Sequence, residues 1–370
     1  MKMVIPTLFG LEGIVADELK WQKFQYVQAD NGKVYFEGDF KDMARANLWV
    51  RSGERVQILL REFDAFSFEE LFQNVKAIPW EMYIGQQDKF PVKGSALHSV
   101  LHSVPDCQSI IKKAIVERLK ERYHIEWFEE TGALYQIQFT IMKDHVQILL
   151  DTSGPGLHKR GYRKNANAAP IRETLAAGMV DLARVHADSL LVDPFCGSGT
   201  IAIEAGLKAL NIAPGLFRKF TCEDWALLPK NTFKQLREEA MDVIKKDAPF
   251  KAYAYDIDPA ALELTKENAK KAHIAGRIHV AQRDVKDFKP DAERQITVCN
   301  PPYGERLLEV KEAERIYKTM GEVFHPGDGM TFFAITPHER FESLFGRKAD
   351  KKRKLYNGMI KCNYYMYFKG

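Results

Sequence analysis

Leu190-Leu191-Val192-Asp193-Pro194-Phe195-Cys196-Gly197-Ser198-Gly199-Thr200 is the stretch that decides the fold. A short apolar run ends on an acid, crosses two glycines set one residue apart, and opens at Thr200 into a helical pattern reaching Leu210. Gly197-x-Gly199-x-x-Ala202 also satisfies the spacing that lets a backbone approach a dinucleotide pyrophosphate at a helix N-terminus. Asp193 argues against that ligand, because a carboxylate at the strand end would face the pyrophosphate with like charge. A cationic cofactor fits better, and S-adenosylmethionine (SAM) brings both an ammonium and a sulfonium. A tight strand-to-helix turn with no ligand is the plain alternative.

Outward from this turn, Glu173 to Val185 reads as helix, and strand candidates recur at 189–192, 252–255, 277–280, 295–299 and 330–335 with helical stretches between several of them. That alternation predicts an α/β fold with a Rossmann-like, doubly wound, mostly parallel sheet. Toward the N-terminus, residues 153–167 are rich in glycine and basic side chains and lack apolar periodicity, which marks a linker. Before them lies an α+β region of about 155 residues without a nucleotide-binding glycine loop. Its helices are expected around Leu11, Val15 and Leu19, over 43–50 and over 108–123. Its strands are expected at 33–37, 56–60, 134–141 and 145–151.

The length of 370 residues, with 45% hydrophobic and 28% charged residues, suits a folded chain of two or three domains. No run approaches the roughly 18 consecutive apolar residues of a membrane span, and the N-terminus turns acidic and amphipathic too early for a secretory signal, so a cytoplasmic location is expected. Fifty-four basic against fifty acidic residues leave a formal charge of +4, which permits a polyanionic partner without demanding one. Five scattered cysteines with no C-x-x-C spacing indicate reduced thiols, with neither a disulfide framework nor a metal site.

Three further strand ends carry polar residues suited to chemistry. Tyr255-Asp256-Ile257-Asp258-Pro259 follows the next strand, where the Asp256 carboxylate can accept both hydroxyls of a ribose, while Asp258 reads as the N-cap of the helix after it. In Gln282-Arg283-Asp284-Val285 an acid can meet an adenine amino group, although a surface Asp in a loop is common. Asn300-Pro301-Pro302-Tyr303 is the most specific: two prolines stiffen the turn and leave its carbonyls and the Asn300 amide oxygen free as acceptors. Acceptors on the hydrogens of a planar exocyclic amine favour a localised lone pair and hold it for attack. Tyr303 offers a flat face to a base taken out of its stack.

DPFCGSGT, AYDIDP, QRDV and NPPYGERL, in that order, resemble the motifs of class I SAM-dependent amino-methyltransferases. HisLysArgGlyTyrArg at 158–163, AlaProIleArgGluThrLeuAlaAla at 169–177, IleAlaProGlyLeuPheArgLysPhe at 212–220 with Trp225, and front-half matches at 47–56 and 109–119 resemble the THUMP-domain RNA guanine-N2 methyltransferases, above all the bacterial 23S rRNA enzymes. The resemblance implies a ferredoxin-like segment (1–55), a THUMP RNA-binding domain (56–155), a linker (156–168) and a SAM-dependent methyltransferase domain (169–370). It also implies a cofactor site of Asp193, Pro194, Phe195, Cys196, Gly197, Gly199, Thr200, Asp256, Ile257, Asp284, Val285 and Asn300, with Glu173 and Thr174 nearby. Catalysis would rest on Asn300, Pro301, Pro302 and Tyr303, SAM would be the cofactor, and no metal is implied.

RNA is the implied partner, rRNA before tRNA, acting with a monomeric, membrane-free protein. The basic runs at 158–164 and 347–354 are candidate phosphate tracks, and a chain starting near Gly156 is expected to keep the cofactor site. Alternatives are a tRNA guanosine-N2 methyltransferase, an N6-adenine methyltransferase, and a non-catalytic RNA-binding assembly factor. Cys196 and Cys299 flank the site, but an exocyclic amine needs no covalent step, so both are expected to be small buried residues.

Overall fold

The computed structural model describes residues 1–163, 171–304, 307–327 and 329–368. Its first half runs β1 (Lys2–Pro6), α1 (Glu12–Trp21), β2 (Gln25–Asp30), β3 (Lys33–Glu37), α2 (Phe40–Trp49), β4 (Gln57–Asp64), α3 (Phe68–Lys76), β5 (Val92–Leu97), α4 (Val104–Tyr123), β6 (Gln136–Met142) and β7 (His145–Asp151). Seven strands form one sheet in the order β2-β3-β1-β4-β7-β6-β5. The expected boundary near residue 55 falls just before β4, which pairs with β1 on one side and β7 on the other, so a single hydrogen-bonded sheet crosses it.

The second half runs α5 (Glu173–Leu182), β8 (Leu190–Asp193), α6 (Thr200–Ala209), α7 (Thr232–Asp242), β9 (Lys251–Asp256), α8 (Pro259–Lys271), β10 (Ile278–Gln282), β11 (Gln295–Cys299), α9 (Leu307–Val323), β12 (Met330–Thr336), α10 (Phe341–Phe345), β13 (Lys351–Asn357) and β14 (Ile360–Tyr367). The sheet order is β10-β9-β8-β11-β12-β14-β13, parallel from β10 through β12, with β14 antiparallel to both of its neighbours. The strand order reverses between β8 and β11, so the crevice at their carboxyl ends is where an open α/β sheet takes its ligand.

Two stretches differ from their sequence reading. The second half of the run at 347–354 opens the edge strand β13, whose lysines hide the apolar alternation of a strand and suit an unpaired sheet edge. The supposed linker is a packed joint where it is described: Leu157, Arg160 and Tyr162 are buried. Arg160 pairs with Glu204 of α6 at 3.3 Å, and the Tyr162 hydroxyl donates to the same carboxylate at 3.0 Å. Residues 164–170, including Lys164, lie outside the described residues.

The two halves share one core, in which Leu11, Leu48 and Tyr135 belong to the same apolar cluster as Leu175, Ile201 and Trp225. Trp225 stacks on Tyr135 at 4.6 Å and donates its indole N–H to the Leu134 carbonyl. The backbone N–H of Gly215 bonds the carbonyl of Leu48 at 3.0 Å. A chain starting near Gly156 would expose apolar surface along this whole seam.

Candidate active site

Asp193 closes β8 with its carboxylate at 1% exposure. One oxygen accepts the Phe195 N–H at 3.2 Å, and the buried Oδ2 has no partner among the described residues. Burial pushes this carboxyl up to about 8, and the nearby Asp256 charge adds to the rise. An acid kept neutral by an apolar surround and left with a bare oxygen is poised to ionise when a cation arrives.

Beyond Asp193 the chain turns through Gly197 (φ +51°) and Gly199 (φ +80°), left-handed conformations that glycine adopts without strain. A Cβ at Gly199 would lie 2.7 Å from the Thr265 methyl, whereas one at Gly197 would meet nothing within 4 Å, so only the first glycine faces open space. Helix α8 holds the turn from behind: Thr265 donates to the Gly197 carbonyl and Asn268 to the Ser198 carbonyl, each at 2.9 Å. Sequence reading missed this pair. Both are polar positions on an amphipathic helix, and only the packing of α8 under the turn gives them a task.

Asp256 ends β9, the strand beside β8. Its Oδ2 accepts the Gly197 N–H at 2.9 Å and its Oδ1 accepts the Asp258 N–H at 3.1 Å, leaving one further lone pair on each oxygen for a diol. Ile257 beside it is 65% exposed, an apolar face next to the acid. Asp258 caps α8 through the Ala260 N–H. After β10, Asp284 accepts the Lys286 N–H, and that bond with the adjacent ammonium holds its carboxyl below the usual range, while Val285 is buried.

Asn300 follows β11, which pairs directly with β8, so Asp193 and Asn300 sit at the carboxyl ends of neighbouring strands. The Tyr303 hydroxyl donates to Asn300 Oδ1 at 2.6 Å and accepts from the Asn357 amide at 3.3 Å. Tyr317 donates its hydroxyl to the Pro302 carbonyl at 2.7 Å. Tyr317 takes one lone pair of the Pro302 carbonyl as Tyr303 takes one on Asn300 Oδ1, and each oxygen keeps a second. Pro301 is buried, and Tyr303 is half-buried with its hydroxyl fixed. Glu305 and Arg306 lie outside the described residues.

Cys196 and Cys299 are buried, and burial pushes both thiols up, so neither is a ready nucleophile. Glu173 is buried, its carboxyl raised by burial against the pull of Arg163, which pairs with it at 2.9 Å and also reaches Thr200 at 3.3 Å. That link brings Glu173 to the glycine turn. Thr174 instead donates to Glu54 of the front half at 2.5 Å. The basic run at 158–164 does not form the expected track where it is described: Arg160 and Arg163 are spent on these carboxylates, and His158 faces Glu54 at 3.7 Å. Among the described residues no helix is long and apolar enough to cross a membrane.

Three family models match the chain: an RlmL ferredoxin-like domain over residues 2–57, a THUMP domain over 65–151, and an RMKL-like methyltransferase domain over 160–366. "Putative RNA methyltransferase YpsC" of Bacillus subtilis is 48% identical over 361 residues, covering 97% of this chain and 94% of that protein. "Ribosomal RNA large subunit methyltransferase K/L" of Psychromonas ingrahamii is 32% identical over 97% of this chain, which spans about half (49%) of that relative's length. Among solved structures, a "predicted N6-adenine-specific DNA methylase" from Listeria monocytogenes superposes with a TM-score of 0.94 at 44% identity, covering 100% of this chain and 96% of that one. "SMU.472, a putative methyltransferase complexed with SAH" does so with a TM-score of 0.95 at 38% identity, covering 100% and 98%.

Proposed function

This chain belongs to the RMKL-like methyltransferase family, with ferredoxin-like and THUMP modules ahead of the catalytic domain, and from that premise we propose that it methylates the exocyclic N2 amine of a guanosine in RNA, with SAM as methyl donor and 23S rRNA as substrate. The observation that carries the reading is the buried Asp193 carboxyl, whose Oδ2 has no partner among the described residues, one strand away from Asn300. A cation receptor and an amine acceptor then stand side by side. The residues fit SAM: Asp193 would take a positive group, Gly197 leaves room for close approach, Asp256 would accept the ribose hydroxyls, and Ile257 and Asp284 would meet the adenine face and edge. Pro194, Phe195, Cys196, Gly199, Thr200 and Val285 would shape the walls, with Glu173 and Thr174 behind the turn.

SAM supplies a methyl group on a sulfonium, activated for direct transfer. The protein orients the acceptor. Asn300 Oδ1 would accept one hydrogen of the guanine amine on its remaining lone pair, with a turn carbonyl taking the second. Tyr303, donating to the same oxygen, fixes the amide so that its acceptor edge faces the base. Asn300 has no basic group at neutral pH and acts by position alone; the proton the amine loses as its N–C bond forms and the C–S bond breaks would pass to solvent.

The substrate assignment draws on the THUMP module and on the printed names of the K/L relatives. The adenine-DNA name printed for the Listeria structure is the competing assignment. Tritium transfer from labelled SAM into RNA and not into DNA, followed by mass spectrometry finding N2-methylguanosine, is the expected result. Label in DNA, or N6-methyladenosine in the digest, overturns it. RNA from a deletion strain, fractionated into rRNA and tRNA, distinguishes the two RNA substrates.

A further inference from the structure

Strands β13 and β14 form a hairpin in which Asn357 and Ile360 are partners, so Gly358 and Met359 make a two-residue turn. Gly358 takes φ +63°, as such a turn requires, and Met359 at the tip is 97% exposed. The base of the turn is tied to the candidate active site, because Asn357 donates to the Tyr303 hydroxyl that donates in turn to Asn300. Only Gly358 separates Met359 from that anchor, so the two Cα atoms lie at most about 7 Å apart.

The front half supports the hairpin from the other side. Phe9 packs on the Tyr356 ring with centroids 6.1 Å apart, and Gly10 lies where a Cβ would collide with the Lys354 carbonyl. Lys354 and Lys361, on one face of the hairpin near the turn, are exposed and make no ion pair among the described residues. A single exposed apolar side chain is ordinary on a protein surface. This one stands on a braced turn that two hydrogen bonds tie to the base acceptor, near cations that suit a phosphate backbone.

Resting on the reading of Asn300 as acceptor of an extruded guanine, we propose that this turn is the wedge that holds the nucleotide out. Met359 enters the RNA stack in the place the target base leaves, while the lysines of the arms hold the flanking phosphates. Apolar side chains inserted between base steps offset lost stacking in this way, and extrusion is the step such a contact stabilises. No covalent role is implied, and Met359 touches neither the cofactor motifs nor the apolar core.

The experiment uses the full chain, labelled SAM, and total RNA from a strain lacking the gene. Met359→Ala should lower turnover about 10-fold or more while RNA binding and SAM affinity stay within about threefold. Met359→Leu, which keeps the apolar bulk, should stay near wild type, and Met359→Lys, which keeps the reach and adds charge, should fall with alanine. Wild-type turnover in Met359→Ala, or a lysine variant as active as the leucine variant, overturns the wedge. If the unaltered protein transfers no label to RNA, it is the functional reading that fails, and the two failures are distinct.

Discussion

The glycine turn after β8 and the glycine-rich joint at 153–163 bury ionisable groups to a similar depth, yet they treat them oppositely. At the joint, Arg160 and Glu204 are 4% and 1% exposed, and the pair is completed by Tyr162 and the carbonyls of Leu157 and Arg51. At the turn, Asp193 is as deeply buried and has an oxygen with no partner among the described residues. A matched buried pair ties the joint to α6 and to the Arg51 carbonyl, whereas a buried carboxyl with a bare oxygen destabilises the free protein.

The largest expected effect tests the joint. Glu204→Ala strands the Arg160 charge in the core and should cost about 3–5 kcal/mol of stability, seen as a lower denaturation midpoint. Glu204→Ala with an unchanged midpoint would erase the contrast between the two regions.

Asp193→Asn should do the reverse: SAM affinity falls by about 100-fold or more, while the unliganded protein becomes more stable at neutral and alkaline pH. Because the folded carboxyl sits near 8 and an unfolded one near 4, the native state binds the extra proton between those values. Stability of the free protein therefore declines as pH rises from about 4 through 8. SAM affinity should climb over the upper part of that window, by about tenfold per unit below pH 8, since a cation needs the ionised acid. Calorimetry across pH 6 to 9 on both proteins measures this, and a slope that persists in Asp193→Asn assigns it to another group.

Asp256→Ala comes next. It removes the acceptor proposed for the ribose hydroxyls and also the partner of the Gly197 N–H, so SAM affinity should drop about 10- to 100-fold. Unchanged binding in the folded variant would take Asp256 out of the site.

The smallest effect sharpens the comparison at the base acceptor. Tyr303→Phe keeps the ring and removes the donor to Asn300, so turnover should fall about 5- to 10-fold with SAM affinity intact. Turnover equal to wild type would mean that the ring alone matters and that Asn300 needs no help in orienting.

Much of this was legible beforehand because it is local. The strand-turn-helix at 190–210, the acids at strand ends and the NPPY turn announce themselves through apolar runs broken by glycine, aspartate and proline at fixed offsets, and each of those strands forms. Strand β13 was not legible, since LysLysArgLys carries no apolar alternation and only an edge position makes such a strand reasonable. Nor was the joint at 153–163, where glycine and basic residues read as solvent-exposed until Glu204, more than forty residues away, takes up the charge.

Residue order alone therefore determined the α/β alternation, the strand ends that carry the acids, and the place of Asn300-Pro301-Pro302-Tyr303, because backbone preference and apolar periodicity act within a few residues. Tertiary structure decided which of the buried charges are matched, that Thr265 and Asn268 support the glycine turn, and that Tyr317 bonds the Pro302 carbonyl. It also decided that Asn357 reaches Tyr303 across 54 residues. Hydrogen bonds and desolvation are set by which atoms meet in space, and those meetings follow from sheet order and packing between elements far apart in the chain.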